Sequence, residues 1–113
     1  MRFKTSDGKE YNLEFNRDSV RYGESIGLNI SDFDTKVMTT TELLFLTGFH
    51  KNHPEVDKAE SDRILYEELG GLRPEETSRL VSEFLETYST LINTDGEKDD
   101  KGEVKNVRRA TIL

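Results

Sequence analysis

A chain of 113 residues, one third hydrophobic and 35% charged, has the size of one domain and can bury only a small core. The net charge is −7 with acids and bases interleaved, which leaves no basic face for duplex nucleic acid. Cysteine is absent, so disulfides and thiolate metal sites are excluded; no apolar run approaches the ~20 residues that span a bilayer, and the start, MRFKTSDGKEY, has no signal-peptide core, so no membrane partner and a cytoplasmic location are expected.

Residues 2–16 predict a β-hairpin. Ser6-Asp7-Gly8-Lys9 is turn chemistry, with Gly where a positive φ is needed. The second arm alternates, placing Tyr11, Leu13 and Phe15 on one face, which Phe3 shares. Two strands are marginal in water, so this face must dock on helices or its edge must pair with another chain. Asn16 is placed to cap a first helix from Arg17 to about Ile26, with Gly27 as its stop. Residues 28–37 read as a loop pinned to the core by Ile30 and Phe33.

Residues 39–54, TTTELLFLTGFHKNHP, form the one strongly apolar segment. Thr39 and Glu42 have capping-box spacing, and the helix must end before Pro54. Leu43, Leu44, Phe45, Leu46 and Phe49 do not share one stripe, so this helix is apolar nearly all round and must be wrapped by protein. Its neighbours are short and charged, and a partner chain is expected to supply part of the cover. Asp57 and Glu60 repeat the capping spacing and open a third helix that runs to about Leu69 and stops at Gly70-Gly71. Pro74, Glu75 and Glu76 suit the start of a fourth helix reaching about Asn93. Its apolar residues Leu80, Val81, Phe84, Leu85, Tyr88, Leu91 and Ile92 keep helical spacing. Beyond residue 93 the composition turns polar, and residues 94–113 are expected to be a flexible tail. The expectation is therefore an α+β domain over residues 1–93, a β-hairpin packed on about four helices.

No catalytic constellation emerges. His50 and His53 are three apart, which is not the spacing of the zinc-protease helix, and Pro54 breaks the helix beside them. Asp32 and Asp34 lack the ligand spacing of a calcium loop. The paired glutamates lie on outer helix faces, where i, i+3 and i, i+4 partners such as Arg63 and Arg79 are available. Neither an enzyme nor a cofactor is expected.

The order of segments resembles the tail assembly chaperones of long-tailed phages, small proteins of Gram-positive phages and prophages. The resemblance lies in EYNLEFNRDSV at residues 10–20, LLFLTGFHKNHP at residues 43–54, ILYEEL at residues 64–69 and FLETYSTLIN at residues 84–93, with a fainter echo in Lys105-Asn106-Val107. It covers most of residues 8–93. The tail departs from the family pattern, since Arg108-Arg109 follows Val107 where an aromatic residue is frequent. The resemblance implies a non-catalytic protein of the host bacterial cytoplasm, a homo-oligomer that binds the tape measure protein and keeps this long helical client soluble until tail-tube subunits replace it. A structural tail-completion or head–tail connector subunit is the alternative. The residues expected to serve interaction are Leu43, Leu44, Leu46, Phe49, Phe84 and Tyr88. Two readings of these six stand side by side: a surface for protein contact, or the filling of one helical core.

Overall fold

The computed structural model describes residues 1–89 and 111–112. Strands β1, Arg2–Lys4, and β2, Glu10–Asn12, pair antiparallel with Phe3 opposite Tyr11. The turn between them closes through Asp7, whose carboxylate accepts from the Thr5 hydroxyl and the Lys9 N–H, and Gly8 takes the positive φ of +85° that the turn demands. Helix α1, Arg17–Ser25, starts at Asn16, whose side chain accepts from the Ser19 N–H at 2.8 Å. A 3-10 turn, Ile30–Asp34, follows inside the segment read as loop, and Ile30 and Phe33 pack from it against the core. Helices α2, Val37–Phe49, α3, Lys58–Arg63, and α4, Pro74–Ser89, complete the described chain. The α+β architecture, a hairpin on four helices, is the one observed. The boundary at residue 93 and the tail beyond it lie outside the described residues, apart from Thr111 and Ile112, which are exposed.

Three local details follow from chain chemistry. Asp57 caps α3 by accepting from the Glu60 N–H at 2.9 Å, as the spacing predicts. The helix then continues as a π-helical turn, Ile64–Glu68, in which the Leu69 N–H reaches back to the Ile64 carbonyl. Gly70 and Gly71, with φ of +68° and +91°, reverse the chain as the double glycine requires. The capping box expected at Thr39 and Glu42 is not formed. Helix α2 begins three residues earlier, at Val37, with Lys36 in the cap position and no side-chain cap. Glu42 is instead drawn across to α3 and the turn after it, accepting from the Tyr66 hydroxyl at 2.6 Å and pairing with Lys58 at 3.2 Å.

The core gathers around α2. Leu44, Phe45 and Phe49 are wholly enclosed, and Leu46 is buried. The hairpin face supplies one wall: Phe3 stacks on Phe45 with centroids 6.0 Å apart, and Tyr11 meets Phe49 edge-on at 5.4 Å. Leu13 lies directly over Gly48, where a Cβ would come within 3.0 Å of it. Helix α1 supplies a second wall by the same device, since a Cβ on Gly23 would stand 3.1 Å from Thr47. The glycine inside α1 costs about 1 kcal/mol of helix propensity and in return lets two helices approach closely. Val20, Leu28, Val56, Ile64, Leu65, Leu80 and Phe84 close the remaining sides. The cover expected in part from a partner chain is supplied over Leu44–Phe49 by the hairpin and helices of this chain, while Val37, Met38 and Thr39 at the start of α2 are exposed.

Candidate functional site

Of the six residues expected to serve interaction, Leu44, Leu46, Phe49 and Phe84 are buried within the chain, and Leu43 is half-buried against the core. Leu44, Phe49 and Phe84 belong to one cluster, which is the core reading of these residues. Tyr88 stands apart. It is 39% exposed and lies 6.4 Å from the Phe84 ring, stacked at 29°. Leu85, one turn earlier on α4, is 45% exposed.

These two residues form one side of a groove of about 610 Å³. Phe84 forms the floor, and Leu28 and Ile30, in the segment between α1 and α2, form the opposite side. Glu24, at the end of α1, and Asp32, in the 3-10 turn, also line it. The groove exists because two local signals coincide. Gly27, at φ +94°, turns the chain sharply after α1, and the amphipathic stripe of α4 is wider than the core can cover. Leu80 and Phe84 are taken inward, while Val81, half-buried, and the exposed Leu85 and Tyr88 follow at i, i+4 and i+7 along its edge. Sequence reasoning found Tyr88 but passed over Leu85, Leu28 and Ile30. The signal for Leu85 was the width of the α4 stripe; that for Leu28 and Ile30 was two apolar residues in a segment otherwise read as polar loop.

The segment HKNHP, weighed above for metal binding, has a different use. His50 stacks on Tyr22 of α1 with centroids 4.3 Å apart and planes within 9°. His53 turns to the hairpin, where its Nε2 accepts the Asn12 N–H at 3.0 Å, which places the ring proton on Nδ1. Asn52 donates to the Asn12 carbonyl and to the Glu14 carboxylate, and Lys51 pairs with Glu14 at 2.9 Å. Together these groups cover the Asn12 end of the outer edge of β2, where the strand would otherwise be open to another chain. The Asn52 amide and the Lys51 ammonium hold the Glu14 carboxyl down at about 2. Across the molecule Glu68 fixes the hairpin tip, accepting from the Ser6 N–H at 2.8 Å and its hydroxyl at 3.0 Å, and those bonds lower its pKa. The Tyr66 hydroxyl, donating to Glu42, is pushed up to about 12. All of these groups act as fasteners between elements. Among the described residues no group of three or more His, Cys, Asp or Glu converges as a metal site, and no helix is long and apolar enough to cross a membrane.

A family model described as Domain of unknown function (DUF5055) matches residues 1–107, which takes in the hairpin, every helix and the groove. No curated protein and no solved structure matches the chain.

Proposed function

The chain belongs to the DUF5055 family, and from that premise we propose that it is a non-catalytic holding protein: a tail assembly chaperone that binds the phage tape measure protein in the host bacterial cytoplasm and keeps it soluble during tail assembly. The observation that carries this reading is the groove beside α4, where Leu85 and Tyr88 remain exposed on a small, charged and acidic domain. A holding protein needs an apolar surface to offer and net charge to stay dispersed. The resemblance of residues 10–20, 43–54, 64–69 and 84–93 to tail assembly chaperones supplies the client. The polar fasteners support the same reading from another side, because each is spent in joining elements of the fold.

Co-expression with the tape measure protein tests the proposal. The client is expected to stay in the soluble fraction and to co-purify with this chain. A client that remains insoluble and unbound overturns the reading. Recovery of this chain in purified virions at fixed copy number replaces it with the structural alternative, a tail-completion or head–tail connector subunit.

A further inference from the structure

Resting on that reading and going into its chemistry, we propose that the groove between α4 and the segment after α1 seats an amphipathic helix of the client that carries lysine or arginine beside its apolar stripe. Three observations lead there. First, the row Val81, Leu85 and Tyr88, half-buried at Val81 and exposed at the other two, runs along α4 at i, i+4 and i+7. That row is a helix ridge, and the surface it fits is the apolar ridge of a second helix. On its outer flank helical spacing places Ser78, Ser82 and Ser89, all exposed and short, so a second helix can approach without meeting bulk.

Second, the inner margin of the groove is acidic and uncompensated. Glu24 and Asp32 line it, and no Lys or Arg does so among the described residues. By contrast Glu14, Glu42 and Glu68 are each met by a cation, Lys51, Lys58 and Arg63 in turn. The carboxylates of Glu24 and Asp32 form no ion pair and accept no hydrogen bond from a described residue, the Thr35 hydroxyl donating to the backbone carbonyl of Asp32 instead. A cationic margin on the incoming helix meets these two charges, whereas an acidic helix is repelled.

Third, a second copy of this chain fits poorly. A two-fold contact through the α4 edge brings the same patch against itself, acids included, on molecules that each carry a net charge of −7. A partner of opposite margin charge is favoured over self-pairing at this surface.

The test titrates the full chain with a synthetic leucine–lysine helix of about 18 residues, long enough for several turns, and with the same helix carrying glutamate for lysine. Fluorescence anisotropy of the labelled helices reads the affinity. The lysine helix is expected to bind at least about tenfold more tightly at low salt, with the margin shrinking as salt rises. Leu85→Ser is expected to weaken binding of the lysine helix at least about tenfold. The double variant Glu24→Lys, Asp32→Lys is expected to shift the preference toward the glutamate helix. Of the three substituted positions Glu24 and Leu85 are exposed and Asp32 is half-buried, and an unchanged circular dichroism spectrum and urea midpoint confirm the fold. Equal binding of both helices, or binding indifferent to Leu85→Ser, overturns the proposal. Displacement of the lysine helix by a peptide of this chain's own residues 105–113, KNVRRATIL, in preference to a second lysine helix also overturns it, since the seat then belongs to this protein's own end. The two proposals fail separately. Binding of the lysine helix beside an insoluble client sinks the chaperone reading and leaves the groove chemistry. A client held soluble with no response to either groove variant does the reverse.

Discussion

Helices α2 and α4 are both rich in apolar side chains, yet they have opposite fates. Helix α2 is apolar nearly all round, and from Leu44 to Phe49 every residue is buried by the chain itself. Helix α4 has a clear polar face and still leaves Leu85 and Tyr88 in solvent. A helix without a polar face has only one stable place, the centre of the domain. A helix with one sits at the surface, where its apolar arc can exceed what its neighbours cover. The apolar row of α4 is therefore found at the edge of an amphipathic helix, and the stretch of α2 from Leu44 to Phe49 has no such edge to offer.

The sharpest way to break this contrast is a pair of truncations. Phe49→Ala removes a ring packed against Phe3, Tyr11 and Phe45 and is expected to cost about 3–5 kcal/mol. Leu85→Ala, at a residue 45% exposed, is expected to cost less than about 1 kcal/mol. Urea unfolding of both variants gives the comparison directly. A cost at Leu85 equal to that at Phe49 would mean that the α4 edge is covered in the folded protein, and the groove would lose its standing as a free surface.

A smaller effect is expected where the core is tightest. Gly48→Ala places a Cβ 3.0 Å from the Cγ and Cδ2 atoms of Leu13, which is itself wholly enclosed. Alanine recovers about 1 kcal/mol of helix propensity, but overpacking a closed contact costs about 1–3 kcal/mol. The expected sign is destabilising, because Leu13 is held between the hairpin and α2 and has no solvent side to move toward. A rise in urea midpoint for Gly48→Ala would show that the hairpin rides loosely on α2.

The same contrast explains what the sequence made readable. Local chemistry was legible: the Asn16 and Asp57 caps, the turn at Gly8 and the stop at Gly70-Gly71 all depend on residues within three or four positions. The Thr39 and Glu42 box was misread because Glu42 has a stronger use 16 and 24 residues away, at Lys58 and Tyr66. The role of HKNHP was hidden for the same reason, since His53 and Asn52 reach Asn12 across 41 and 40 residues. That Leu44, Leu46 and Phe49 must be covered followed from a helix with no polar face, but whether their own chain or another covers them did not. The hairpin face was expected to dock on helices, but no local signal says that the helix it docks on is α2. The groove was half legible: Tyr88 came from the α4 stripe, while Leu28 and Ile30 gain meaning only once the turn at Gly27 brings them opposite α4.

The weakest test concerns the fastened edge of β2, and it sharpens the comparison by showing how firmly the covered side is closed. Glu14 carries a carboxyl held at about 2, first by the Asn52 amide and then by Lys51, against an ordinary value of 4.5. A carboxyl lowered by folding adds stability at every pH above its unfolded value, and that addition fades as the pH falls from about 4.5 toward about 2. The Glu14 side chain is 44% exposed, so solvent and salt screen the effect. Asp7, Glu42, Glu60 and Glu68 are lowered as well and lose stability in the same direction. The slope of the whole protein therefore identifies no single group, and the difference between the chain and its Glu14→Gln variant is the quantity to measure. That difference in urea midpoint is expected to be largest near neutral pH and to close on acidification. A constant difference across the range would mean that Asn52 and Lys51 leave Glu14 free in solution, and that the edge of β2 stays open to a neighbouring strand after all.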